Sequence, residues 1–166
     1  LMSYEQYLPN LKTSKIFLNQ PVKYHASEPI RIEHNESISA AANNMKRNKS
    51  GAALIFSKDQ CIGILTDYDL KERVVAENCN LSIPVSDVMT APLISIRDNA
   101  LVLEAQLLMK EKNIDYLGIK DENNKVTALL SNDDINRMQT NTSDYLIKEI
   151  SKAKFVEDLS VSFKKL

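Results

Sequence analysis

The sequence predicts an α+β fold in which two copies of one small unit, each strand, helix, strand, strand, helix (βαββα), pack sheet to sheet about a pseudo-twofold axis. Three observations predict it. The first is an internal repeat: IEHNESISAAANNMKRNKSGAALI (32–55) lies over IRDNALVLEAQLLMKEKNIDYLGI (96–119) at a constant offset of 64, which sets Ile32 on Ile96, Asn35 on Asn99, Ala41 on Ala105, Met45 on Met109 and Ile55 on Ile119. The second is apolar spacing of the i, i+3, i+4, i+7 kind inside each copy. The third is a pair of apolar runs, joined by a polar turn, that follows each of those periodic segments.

Taken in order, Pro29 to Ile32 and Pro92 to Ile96 read as short extended segments. Ile38, Ala41, Ala42 and Met45, and in the second copy Leu101, Ala105, Leu108 and Met109, mark helices whose narrow apolar stripe must lie on a sheet. ALIF-SKDQ-CIGIL and YLGIK-DENN-KVTALL then read as β-hairpins. One extra residue in the second turn raises the offset to 65, so that Thr66 falls on Ser131 and Asp69 on Asp134. Each pair forms a T/S-x-x-D pattern that opens a second helix.

A unit of roughly 50 to 60 residues buries little on its own, and two sharing a core is the stable solution. The linker ENCNLSIPVSDVMTAP (77–92) holds a short helix, VSDVM, between Pro84 and Pro92. The division expected is an N-terminal segment over 1–21, a first repeat over 22–78, a second repeat with its preceding linker over 79–139, and a C-terminal helical extension over 140–166 with Tyr145, Leu146, Ile150, Ala153 and Val156 along one side. Leu1 standing before Met2 implies a piece of a longer protein.

Lys and Arg number 21 against 22 Asp and Glu, a balance that argues against nucleic acid as partner. Cys61 and Cys79 have neither metal-ligand spacing nor the density of a disulfide scaffold, and read as reduced thiols of a cytoplasmic protein. No apolar stretch approaches the ~20 residues of a membrane span, and MSYEQYLPNLK is too polar for a signal peptide. His25 and His34 match no metal-binding spacing, so no metal is expected. Lys46, Arg47 and Lys49 suit the C-terminal end of a helix dipole. No catalytic constellation is present, and the chain is not expected to be an enzyme.

GILTDYDL (63–70), ALLSNDDI (128–135), VSDVMTAPLISI (85–96) and LMKEKNIDYLGIKD (108–121) together resemble a tandem pair of CBS domains, the Bateman module, over about residues 22 to 138. TDYDLKERVVAENCNLSIPVSDVMTAP (66–92) is similar to the CBS pair of bacterial signal-transduction proteins that lies between a cyclic-nucleotide-binding domain and a nucleotidyltransferase domain. YLIKEISKAKFVEDL (145–159) is similar to the helix that leads into that transferase. The resemblance implies a regulatory module that binds an adenosyl nucleotide (AMP, ADP or ATP) between its repeats, forms a homodimer and signals to an attached domain.

Carried over residue by residue, the resemblance implies two clefts. In one, Thr66 and Asp69 face Leu93, Ile94, Ile114 and Tyr116; in the other, Ser131 and Asp134 face Ile30, Arg31, Ser50 and Ala52. Lys71, Arg73 and Arg137 are the candidate phosphate contacts. The chemistry is coherent, because a carboxylate accepts two hydrogen bonds from a ribose diol while a hydroxyl and helix-start amides meet a phosphate. Gly63 against Ala128, and Gly51 against Asp115, make the clefts unequal. The same four-residue pattern is also a capping box, in which the hydroxyl and the carboxylate satisfy helix-start amides and nothing else. On that reading the chain is a ligand-free dimerisation or interaction module, and both readings stay open at the level of sequence.

Overall fold

The computed structural model describes residues 17–139; the segment over 1–16 and the helical extension expected from residue 140 lie outside the described residues. Each repeat builds one three-stranded sheet. In the first, β1 (Arg31–Glu33), β2 (Ala52–Ser57) and β3 (Gln60–Thr66) lie in that order, β1 parallel to β2 and β2 antiparallel to β3. In the second, β4 (Ser95–Arg97), β5 (Tyr116–Lys120) and β6 (Val126–Ser131) repeat the arrangement. Ile32 pairs Ile55 and Ile96 pairs Ile119, and a register shift follows Ile55 in one sheet and Ile119 in the other.

The parallel pairs are joined by α1 (Ile38–Arg47) and α3 (Val102–Lys112). Ser37 caps α1 by accepting from Ala40 N at 3.2 Å, Lys46 and Arg47 close it against the dipole, and Ile38, Ala41 and Met45 are its buried face. In α3 the buried face is Val102, Ala105 and Met109. Leu101, expected to start that face, is instead the residue before the helix, where its amide donates to Glu104 Oε2 at 2.7 Å. Asn113 ends α3 in the left-handed conformation at φ 52°, a position that asparagine tolerates well.

Helices α2 and α4 follow the third strand of each sheet. α2 makes one α turn (Asp67–Asp69) and then widens to π spacing over Leu70–Val75, while α4 is helical over 132–139. The wider turn departs from the regular helix expected after Thr66; it buries Val74 and leaves Arg73 beside the linker. The VSDVM segment is likewise shorter than expected, a single 3-10 turn at Val85–Asp87.

The core has three layers. Ile32, Ile38, Met45, Ile55 and Leu65 fill the helix side of the first sheet, and Val102, Met109, Leu117, Ile119 and Leu130 that of the second. Between the sheets lie Ala52, Leu54, Phe56 and Ile64 of one and Val126 and Leu129 of the other. β2 therefore feeds two cores from alternate residues, which is why AALIF is apolar without a break. Side chains such as Phe56 and Leu54, at 1% and 0% exposure, each contribute roughly 1.5–3 kcal/mol.

The leaders into the two repeats are exchanged. Thr90, just before the second repeat, pairs with Ile64 on the edge of the first sheet, its amide donating at 2.8 Å and its carbonyl accepting at 2.9 Å. Ser27, just before β1, pairs with Leu129 on the edge of the second sheet at 2.9 and 3.0 Å. The turn at Val85–Asp87 rests on the first repeat through Val85 N to Glu36 O, and the turn at Val22–Tyr24 on the second through Val22 N to Ala100 O, both at 2.8 Å. Each sheet thus covers its third strand with chain from the other repeat's approach.

Candidate functional site

At the first motif, Thr66 ends β3 and the amide of Asp67 donates to Gly51 O at 2.9 Å. Thr66 Oγ1 accepts from Asp69 N at 3.2 Å, and Asp69 Oδ2 accepts from Thr66 N at 2.9 Å and from the Thr66 hydroxyl at 2.7 Å. The other oxygen, Oδ1, accepts from the Thr90 hydroxyl at 2.7 Å and faces the Arg73 guanidinium at 3.5 Å. Arg73 donates onward to the carbonyls of Val88 and Met89 at 3.0 and 2.6 Å. Asp69 is 2% exposed, and with about four lone-pair directions per carboxylate its accepting capacity is used within the protein.

The second motif repeats the backbone and not the enclosure. The amide of Asn132 donates to Asp115 O at 2.8 Å, Asp134 N to Ser131 Oγ at 3.0 Å, and the Ser131 hydroxyl to Asp134 Oδ2 at 2.6 Å. Asp134 Oδ1 accepts from Arg137, whose side chain is 72% exposed, while that of Asp134 is 26% exposed. Ser27 stands where Thr90 stands in the other half, but its hydroxyl donates to Leu129 O at 3.4 Å and does not reach the carboxylate.

A cleft opens at each motif. One, of about 1040 Å³, brings Thr66, Asp69 and Arg73 together with Ile114 and Tyr116; the other, of about 960 Å³, brings Ser131, Asp134 and Arg137 together with Ile30 and Ser50. Four residues of the expected set lie elsewhere. Ala52 is buried in the layer between the sheets, and Leu93 packs against that layer. Ile94 packs on the second helix–sheet core, and Arg31 lays its guanidinium 3.7 Å from the centre of the Phe56 ring. Packing into these layers, and the stacking of Arg31 on Phe56, keeps the four side chains out of the cleft linings. Lys71 pairs with Glu72 at 3.1 Å on the surface, away from the cleft linings.

Gly51, Asp67, Tyr116, Ser131 and Asp133 line both clefts and form the wall between them. Burial, and then the nearby carboxylates of Asp67, Asp133, Asp115 and Asp134, push the Tyr116 hydroxyl above its ordinary value. A side chain at Gly63 would meet Met89 Sδ at 2.7 Å and Thr90 O at 2.8 Å. The contrast of Gly63 with Ala128 is therefore about the leader packed on β3, not about room for a ligand. Sequence reasoning missed Thr90, although carrying the repeat backward at an offset of 63 sets Pro29 on Pro92 and Ser27 on Thr90. Among the described residues no acidic, histidine or cysteine group is arranged to hold a metal, and no helix is long and apolar enough to cross a membrane.

Known proteins show the same architecture. The chain is 31% identical over 121 residues, 72% of its length and 86% of the other's, to the CBS domain-containing protein YhcV of Bacillus subtilis. It is 33% identical over 122 residues, 71% of its length and 60% of the other's, to protein MK0525 of Methanopyrus kandleri. Among solved structures, a conserved protein of Pyrococcus horikoshii superposes with a TM-score of 0.69 at 22% identity, over 73% of this chain and 92% of that one. The CBS domain protein PAE2072 of Pyrobaculum aerophilum, complexed with AMP, gives 0.64 at 20% identity over 69% and 88% of the two chains. The CBS domain pair of protein MJ0100, in complex with 5-methylthioadenosine and S-adenosyl-L-methionine, gives 0.65 at 24% identity over 72% and 98%. The CBS domain model matches residues 23–76 and again 85–140, and the chain accordingly belongs to the CBS-domain family, as a tandem pair.

Proposed function

We propose that the chain is a regulatory module that binds an adenosyl compound in the cleft of Ser131 and Asp134 and passes the binding energy to a covalently attached domain. The observation that carries this is the state of the two carboxylates: Asp69 is enclosed and saturated, whereas Asp134 reaches the cleft and is held on one oxygen by a solvated arginine. An exposed ion pair contributes little, so a ribose hydroxyl replaces Arg137 at small cost and frees its guanidinium for a phosphate. Ile30 and Ser50, on the opposite repeat, supply the wall for the base. The solved CBS pairs with AMP and with S-adenosyl-L-methionine support the ligand class.

Because the cleft lies between repeats, a ligand that prefers one relative placement of them couples to whatever the termini join. In this reading the attached parts are a cyclic-nucleotide-binding domain and a nucleotidyltransferase domain, the chain itself is non-catalytic, and the module works in the cytoplasm as a homodimer with twofold symmetry. Leu103 and Leu107, 40% and 59% exposed on α3, support self-association.

Thermal unfolding with adenosine and with AMP tests the ligand. Either, at 100 times its dissociation constant, stabilises by about 2.7 kcal/mol, and Asp134→Ala abolishes the gain. Failure of every adenosyl compound to stabilise the chain sinks the reading. It would favour the second one, a ligand-free dimerisation module, whose supporting observation is that Thr66 and Asp69 satisfy one another as a complete capping box.

A further inference from the structure

Resting on the adenosyl reading above, we infer that the linings of both clefts disfavour polyphosphate, and that the ligand of the Ser131 and Asp134 cleft is an adenosyl compound with no more than one phosphate, or with a cationic group in its place. In the first cleft Asp67, Asp69, Asp115 and Asp133 outnumber Arg73 and Lys110. In the second, Glu28, Asp67, Asp133 and Asp134 outnumber Lys49 and Arg137. Asp67 and Asp133 belong to both, so the wall between the clefts presents carboxylates to either side.

The two arginines are also committed. Arg73 spends its guanidinium on the carbonyls of Val88 and Met89, and Arg137 faces Asp134. Releasing Arg137 to one phosphate is a single exchange, and a second and third phosphate would find carboxylates instead. Nor do glycines build a backbone cradle among the described residues. Polyphosphate sites use glycine-rich loops whose amides converge on the anion, and this chain has three glycines. A Cβ at each would meet a side chain within 3 Å: Tyr116 Oη at 2.5 Å from Gly51, Met89 Sδ at 2.7 Å from Gly63 and Leu93 Cδ2 at 2.6 Å from Gly118. These glycines serve packing. The Tyr116 hydroxyl, in the shared wall, is pushed above its ordinary value first by burial and then by the carboxylates of Asp67, Asp133, Asp115 and Asp134.

Calorimetric titration of the chain with adenosine, AMP, ADP, ATP and S-adenosylmethionine, at fixed ionic strength and without divalent cations, tests this. The expected result is that ATP binds at least about tenfold more weakly than AMP, and that S-adenosylmethionine is not penalised relative to adenosine. The gap narrows as added salt shortens the screening length from ~10 Å at 0.1 M toward ~3 Å at 1 M. Asp67→Asn and Asp133→Asn, at two exposed positions, raise ATP affinity toward that of AMP and so narrow the gap between the two nucleotides. ATP binding as tightly as AMP overturns the inference and leaves the adenosyl reading intact. A gap that ignores both salt and these substitutions also overturns it, while no binding by any adenosyl compound overturns both readings.

Discussion

Asp69 and Asp134 occupy the same place in two copies of one backbone, and they differ in what reaches them from outside the four-residue motif. At Asp69 the exchanged leader supplies the Thr90 hydroxyl, and α2 supplies Arg73. At Asp134 the leader supplies Ser27, whose hydroxyl turns to Leu129 O, and the residue equivalent to Arg73 is Met138. Two side chains outside the motif thus turn one copy into a closed structural lock and leave the other as a candidate binding group. The four-residue pattern fixes a helix start in both; whether it also offers a carboxylate to a ligand is decided elsewhere.

The largest test of this contrast is thermodynamic. Asp69→Ala removes a buried carboxylate with its bonds from Thr66 and from the Thr90 hydroxyl, at a cost of roughly 3 kcal/mol, whereas Asp134→Ala costs less than about 1 kcal/mol. Urea denaturation of the two variants measures both, and equal losses would break the comparison. Next in size is Thr90→Val, which forfeits one hydrogen bond to a charged group, about 2 kcal/mol, and returns an acceptor of Asp69 to the first cleft. Calorimetry of this variant is expected to find a second adenosine site, and an unchanged stoichiometry would show that the lock is not what keeps the first cleft closed.

The smallest effect concerns pH. His25, in the leader on the second sheet, lies 2.7 Å from Gln20 Oε1 with its ring centroid 4.8 Å from that of Phe17, and burial lowers its pKa below 6.5. A depressed histidine leaves the unfolded state binding more protons, so its contribution is present above pH 6.5 and is lost as pH falls through the lower folded value. Val88 holds the corresponding place on the first sheet. Hydrogen-exchange protection factors, taken relative to the intrinsic rate at each pH, should therefore fall at the Ser27 and Leu129 amides on acidification, while those at Ile64 and Thr90 should not. Parallel responses in both leaders would assign the effect to something other than His25.

Much of this was legible in the chain. The offset of 64 gave both sheets, because Ile32, Ile55, Ile96 and Ile119 are core positions whose spacing survives duplication. The hairpins were legible from their apolar runs, and Thr66, Asp69, Ser131 and Asp134 from their places at the ends of those runs. The role of Thr90 was not, since it acts on a carboxylate 21 residues away through a strand pairing that no local pattern announces. The packing of Arg31, Ala52, Leu93 and Ile94 outside the cleft linings was not legible for a related reason. Whether a strand residue faces helix, sheet or cleft is set by the layer stacked against it, and an all-apolar strand such as β2 does not mark its faces by alternation.

The exchange of leaders bears on how such a molecule arose. A lone ancestral unit would have had nothing of its own to lay along its third strand, and two copies lending each other their approach segments would have solved the problem by domain swapping. Gene duplication and fusion would then have written a dimer into one polypeptide. Once a single chain carried both leaders, Ser27 and Thr90 were free to diverge, and an ancestor with two identical pockets could give rise to a descendant with one pocket and one clasp.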